Sequence, residues 1–284
     1  MLACPEPERD ARQVSARRRL QRPPELAETF DRVGNGYDAR PGYPTAVFET
    51  LSRRCGLGPG ARVLEIGPGT GQATVPMLDR GAAVTAIEPG ASLARRLGER
   101  TVGRAIEIVV SKFEGATFTE GSFDLAASAT AFHWVDTAVG LRRCADALVD
   151  GGYLALWWTV WGDPDRPDPF HEALVPVLRQ RAPHLVAEEA GAVAYQQDMA
   201  DRAGDIASVG TFEPATEETF TWDGTHDPAS LRAIFATFGA WIALSEPLRT
   251  ELLDEVENVA QREFAGLVTR PYKTVLYSAR RRPR

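Results

Sequence analysis

Three glycines at alternate positions, Gly67, Gly69 and Gly71, follow an apolar run and precede a helical pattern. Glycine admits positive φ and lets a ligand approach the backbone. A helix start adds N–H groups that have no partner within the helix. At the first strand–helix turn of an open α/β sheet, this combination binds a nucleotide-like ligand. Glu88 ends the next apolar run, where a carboxylate can accept both hydroxyls of a ribose. Gln72 stands where the G-x-G-x-x-G fingerprint of dinucleotide sites has its third glycine. Further along, His133 follows a fourth apolar run, at the ligand edge of such a sheet. An imidazole there, titrating near pH 7, can relieve a nucleophile of its proton. The rings of Tyr37, Phe132 and Trp134 can hold a cation at roughly 0.5–2 kcal/mol each.

These groups need a scaffold that gathers strand ends. The middle of the chain alternates short apolar runs with helical patterns. Strands are expected at Ala61–Ile66, Ala82–Glu88, Ile106–Ser111, Ser122–Ser128 and Gly152–Val160. Helices are expected at Gly71–Arg80, with Pro76 delaying or kinking it, at Ser92–Arg100 and at Asp136–Val149. Near-continuous apolar strands separated by helices imply a parallel sheet covered on both faces. The fold class is therefore α/β, a doubly wound, Rossmann-like, mostly parallel seven-stranded sheet. Thr216–Trp222 and Lys273–Ala279 complete that sheet, and helices are expected at Phe170–Arg181, Pro228–Trp241 and Glu246–Ala265, with Ala187–Asp205 loosely helical. The division expected is a flexible arm over 1–25, a ligand-binding core over 26–160, a lid or substrate insertion over 161–210, and completion of the core over 211–284.

Composition narrows the function. The formal net charge is -7, which disfavours a polyanionic partner such as nucleic acid. No apolar run approaches the ~18 residues of a membrane helix, and the Arg- and Glu-rich start has no apolar h-region. Cys4, Cys55 and Cys144 show no metal-ligand spacing and read as reduced thiols of a cytoplasmic protein. No metal site is expected. His171, His184 and His226 lack partner spacing, and Asp163, Asp165 and Asp168 alternate with prolines as a solvated loop would.

The stretch Val63–Thr74 (VLEIGPGTGQAT) and the segment Ala86–Gly90 (AIEPG) resemble the first two motifs of the class I methyltransferases that depend on S-adenosylmethionine (SAM). Ser111–Glu114 resembles the third motif and Ser122–Val135 the fourth. A finer likeness is to the trans-aconitate methyltransferase-like branch. It rests on Tyr37-Asp38-Ala39-Arg40-Pro41-Gly42-Tyr43-Pro44 and on the pair His133-Trp134. The resemblance implies SAM as cofactor, held by Glu65, Gly67, Gly69, Gly71, Glu88 and Pro89. It further implies Phe113 and Glu114 at the adenine edge, and Ser128, Ala129 and Arg40 near the methionine end. Ala129 departs from the polar residue many relatives carry, so contact there falls to the backbone. The catalytic residues implied are His133, assisted by Tyr37.

The acceptor is expected to be a small molecule, bound by a monomer or homodimer. Between Gly162 and Ala200 the acidic residues Asp163, Asp165, Asp168, Glu172, Glu188, Glu189 and Asp198 outnumber Arg166, Arg179 and Arg181. Such a lid favours a neutral or cationic ligand. All six tryptophans lie in the later part of the chain, and Phe132, Trp134, Trp158 and Trp161 are the expected lining of an aromatic site. Among relatives of this branch, carbon methylation of natural products in specialised metabolism, at indole C3 for one, suits a His–Tyr pair. O- or N-methylation of a small metabolite such as a carboxylate is the alternative. A nicotinamide-dependent oxidoreductase and a SAM-binding protein without catalysis are the rivals from other classes.

Overall fold

A computed structural model describes residues 39–160, 162–187 and 199–283. Expectations for the arm, Tyr37, Trp161, Glu188, Glu189 and Asp198 lie outside the described residues. Seven strands form one sheet, β1 (Arg62–Ile66), β2 (Ala83–Glu88), β3 (Ile106–Val110), β4 (Phe123–Ala129), β5 (Leu148–Val160), β6 (Thr216–His226) and β7 (Val268–Arg280). Their order is β3-β2-β1-β4-β5-β7-β6. The first five run parallel, whereas β7 is antiparallel to both β5 and β6. The strand order reverses between β1 and β4, and the crevice of a doubly wound sheet opens at such a reversal.

Helix α1 (Thr45–Cys55) precedes the sheet; α2 (Thr74–Asp79), α3 (Ala91–Arg100) and α4 (Thr137–Ala147) form the crossovers. α2 starts three residues later than the pattern suggests, because residues 69–73 are spent on turns. Pro76 thus falls in its first turn, where a missing N–H costs nothing. α4 stops at Ala147 rather than Val149, and Leu148 already pairs with Phe123 of β4. A register shift then brings Tyr153 opposite Leu125, with Gly151 at φ 78° between them.

Successive residues of a strand face opposite sides, and β5 shows the consequence. Trp157 enters the core on the α1 side with Val47, Phe48 and Val63. Trp158 enters the core on the other side with Leu64, Ile66 and Phe132. A third cluster lies off the sheet. It joins α5 (Pro169–Arg181) and α6 (Pro183–Ala187) to α8 (Pro228–Ala236), α9 (Gly239–Ile242) and α10 (Glu246–Phe264), through Phe170, Leu174, Phe235, Trp241, Leu252 and Val256. α7 (Met199–Ser208) instead contacts α4 and β7. The expected insertion is therefore shared out, since its first helix packs with the helices that follow β6. The expected helix Pro228–Trp241 is two helices, broken at Thr237 and Phe238.

The loop after β5 corrects another expectation. Asp163 and Asp168 are 3 % and 8 % exposed rather than solvated. Asp168 caps α5 by accepting the N–H of His171 at 3.1 Å. Its other oxygen accepts Nε and Nη2 of Arg270 at 2.9 and 2.7 Å. Arg270 is 3 % exposed and lies against the rings of Phe170, Phe235 and Tyr272. Lys273 pairs with Asp163 and Asp165. His226, also buried, shares a 2.8 Å hydrogen bond with the Tyr272 hydroxyl; burial first, and then the charge of Arg270, lowers its pKa. Cys55 and Cys144 are free and buried, and burial pushes the Cys55 thiol up to about 12. No described helix is long and apolar enough to cross a membrane.

Removing one partner of a buried ion pair strands the other charge, at a cost of about 3–5 kcal/mol. Asp168→Ala should therefore lower the unfolding free energy by that amount, measured by denaturant titration. Asp168→Ala combined with Arg270→Met should recover much of the loss.

Candidate functional site

The glycine turn is shaped by what it touches. Gly67, Gly69 and Gly71 have φ of 68°, 59° and 97°, the left-handed region that glycine enters without penalty. At Gly67 a Cβ would also lie 2.5 Å from Cβ of Ala131. The turn after β1 thus sits directly against the turn after β4. Ser128 ties the same two strands, its hydroxyl donating to the carbonyl of Ile66 at 2.9 Å.

Two buried carboxylates lie beneath this turn. Glu88 is 5 % exposed, and its oxygens accept the N–H of Gly69 at 3.0 Å and of Gly90 at 2.9 Å. It therefore clips the loop after β1 to the loop after β2. Glu65 is 1 % exposed and accepts the Thr74 hydroxyl at 2.7 Å on Oε2, while Oε1 is buried without a hydrogen-bond partner. Burial pushes its carboxyl up to about 8; the Thr74 bond opposes this, and the charge of Glu88 adds to it. A buried oxygen lacking a donor is costly, and an ammonium group would satisfy it.

The cleft beside the turn encloses about 450 Å³ of non-atom space, open solvent included. Its wall includes Arg40, Pro41, Tyr43, Gly67, Pro68, Gly69, Gln72, Ala73, Ala129, Thr130 and Thr159. Of the expected cofactor residues, Arg40, Gly67, Gly69 and Ala129 meet there. Gly71 stands behind the turn, where a Cβ would be 2.8 Å from Leu97 Cδ1. Phe113 is 4 % exposed, stacked on Phe118 in the core, which leaves only its backbone for a ligand. Glu114 accepts the N–H of Asp136 at 3.0 Å, and Pro89 is exposed.

Three hydroxyl residues of the wall were not among the expected site residues. Thr130, at the end of β4, has φ 53°, a rare conformation for a β-branched residue. Its oxygen accepts the Tyr43 hydroxyl at 3.0 Å and the N–H of Thr159 at 3.4 Å. The Thr159 hydroxyl shares a 2.9 Å bond with that of Thr274, which accepts the indole N–H of Trp222 at 3.0 Å. Tyr43 lies within the Tyr37–Pro44 motif, so a signal for it existed. Nothing in the sequence marks the backbone strain that places Thr130.

The aromatic residues depart from expectation. Phe132 and Trp158, expected to line an acceptor pocket, are 2 % and 1 % exposed and belong to the core. Trp134 is half-buried, its ring 4.9 Å from that of half-buried His133. Trp158 has a different use, since its Nε1–H donates to Nδ1 of His133 at 3.1 Å. A neutral imidazole that accepts at Nδ1 carries its proton on Nε2. In this arrangement Nε2 is a donor, and the expected role as proton acceptor does not fall to it.

A doubly wound sheet with a glycine turn where its strand order reverses is the arrangement at which nucleotide-like ligands bind. A family model described as a methyltransferase domain matches residues 64–156. An uncharacterized methyltransferase of Geobacillus kaustophilus is 30 % identical over 166 residues, 57 % of this chain and 75 % of that protein. The chain spans about half the length of further methyltransferases to which it is 30 % identical. Among solved structures, a putative type II methyltransferase from Anaeromyxobacter dehalogenans aligns with TM-score 0.61 at 20 % identity, over 86 % of this chain and 99 % of that one. A Haemonchus contortus phosphoethanolamine N-methyltransferase in complex with SAM aligns at 0.53 and 18 % identity, over 93 % and 59 %. The chain belongs to the class I SAM-dependent methyltransferases. It is a transferase whose cofactor is SAM.

Both the glycine turn and the partnerless oxygen of Glu65 suit that cofactor. SAM supplies an activated methyl group on a sulfonium. Charge-assisted hydrogen bonds contribute about 1.5–3 kcal/mol each. Glu88→Ala, which removes such acceptors and unclips Gly69, should weaken S-adenosylhomocysteine binding at least about tenfold by calorimetry. Unchanged affinity would remove Glu88 from the site.

Proposed function

We propose that this enzyme methylates a small, uncharged aromatic acceptor presented at the ends of β4 and β5, with indole C3 as the specific candidate. The observation that supports the uncharged reading is that, in a cofactor-cleft wall whose one charged residue among those described is Arg40, the part at the ends of β4 and β5 carries the hydroxyls of Tyr43, Thr130 and Thr159. Such groups pair with neutral polar atoms and leave a full charge poorly compensated. The acidic lid contributes less than its composition suggests, because Asp163, Asp165 and Asp168 are paired with Lys273 and Arg270. The half-buried ring of Trp134 supports a planar acceptor.

In this reading the Gly67–Gly71 turn, Glu88 and the backbone near Phe113 and Glu114 hold the adenosine. Glu65, Arg40 and the Ala129 backbone hold the amino-acid part. The helical unit of α5, α8 and α10 covers the acceptor. Alignment of the nucleophile with the methyl carbon supplies most of the acceleration. The bond to sulfur breaks as the bond to the acceptor forms, and any acceptor proton must leave.

His133 decides between two versions. Proton removal from an indole N–H needs a bare ring nitrogen on His133, which requires the Trp158 bond to break. A second reading follows from the bond as it stands, in which Nε2–H donates to an acceptor oxygen and the product is an O-methyl compound. Acceptors from both classes would be incubated with isotopically labelled SAM and the methylated atom mapped. Under the indole reading, His133→Ala and His133→Gln should both lower kcat at least about 10²-fold, because neither residue is a base. Under the oxygen reading, His133→Gln keeps a donor and should retain much more activity than His133→Ala. If both variants turn over normally, His133 only packs, and proximity alone drives the reaction.

A further inference from the structure

Arg40 stands in the wall of the cofactor cleft, yet a residue far along the chain orients it. Its Nε donates to Oγ1 of Thr237 and its Nη2 to the carbonyl oxygen of Thr237, both at 2.9 Å. Thr237 is fully buried, at the break between α8 and α9. Its hydroxyl proton is committed to the carbonyl of Ile234 at 2.6 Å. The lone pairs of Oγ1 therefore have a fixed direction, and one edge of the guanidinium meets two acceptors on a single immobile residue. Guanidinium is planar, so fixing its Nε–Nη2 edge fixes the plane and the direction of the Nη1–Nη2 edge. Thr237 is held in turn by the third cluster, through its neighbours Phe235, Phe238 and Trp241.

We propose that Thr237 is a positioning residue of the cofactor site. It aims Arg40 at the carboxylate of the amino-acid part of SAM and thereby ties the helical unit to cofactor binding. The proposal rests on the reading of Arg40 as the partner of that carboxylate. Arg40 shares the cleft wall with Gly67, Gly69 and Gln72. A carboxylate is the group that a fixed guanidinium recognises best, through two parallel hydrogen bonds. The residue that presents this guanidinium thus lies outside every cofactor motif in the sequence.

The test compares two ligands that differ in the group at issue. S-adenosylhomocysteine carries the amino-acid carboxylate, and 5′-methylthioadenosine lacks the amino-acid part. Both would be titrated calorimetrically into the wild type, Arg40→Ala, Thr237→Val and Thr237→Ser. Arg40→Ala should weaken S-adenosylhomocysteine about tenfold or more, and Thr237→Val by about three- to tenfold. Methylthioadenosine should bind all four proteins within about twofold, and Thr237→Ser should restore wild-type behaviour. Equal weakening of both ligands by Thr237→Val would make Thr237 merely structural and overturn the proposal. A normal Thr237→Val beside a weakened Arg40→Ala would overturn it too, while sparing the reading of Arg40. A normal Arg40→Ala would remove that reading as well. Should Thr237→Val fail to fold, Thr237→Ala, which removes the Oγ1 acceptor without adding bulk, replaces it, and the same ligand-selective loss is required.

Discussion

The cofactor cleft depends on the Glu88 carboxylate, which is buried and holds the N–H of Gly69 and of Gly90 at once. Without it, two loops from neighbouring parallel strands would have no common anchor. With it, the glycine turn has a fixed position over β1, and Gly67 can lie in contact with Ala131 after β4. That contact brings the end of β4 against the turn, and with it the strained Thr130 and the imidazole of His133. The parallel order β3-β2-β1-β4-β5 puts all of these at one edge of the sheet.

A second set of interactions attaches the helical unit to this edge. The Asp168–Arg270 pair secures the loop leaving β5 to β7, in a setting too dry to tolerate either charge alone. The bonds from Arg40 to Thr237 cross from the cleft wall to the break between α8 and α9. Polar groups inside this protein therefore work mainly as connectors. Trp158 is the clearest case, since its ring fills the core and its N–H fixes one nitrogen of His133.

Much of this was legible in the sequence. The five parallel strands, the glycine turn and Glu88 follow from periodicity and motif, because buried strands and tight turns each demand specific residue types. Helix ends were less legible. The late start that Pro76 signals is the one observed, whereas the helix before β5 stops two residues early because the pairing of Leu148 with β4, which the local pattern does not show, decides where it ends. Charge was the least legible feature. Asp168 looked like any loop aspartate, and only the arrival of Arg270, from the last strand, makes it a buried ion pair. Trp158 lies in the core for a related reason, because two adjacent tryptophans on one strand face opposite sides of the sheet and neither need face the ligand, and Phe132, in the turn after β4, packs into that same core.

On the proposed reading, the buried carboxyl of Glu65 meets the ammonium of the cofactor at its partnerless oxygen. Burial pushes the pKa of that carboxyl up to about 8. An ammonium beside Oε1 would favour the carboxylate, and binding must then expel the proton. The direct measurement is calorimetric titration with S-adenosylhomocysteine at pH 7 in buffers of different ionisation enthalpy. Net proton release on binding is expected in the wild type, falling toward zero in Glu65→Gln. Binding with no proton exchange in the wild type, or the same release in Glu65→Gln, would contradict that reading.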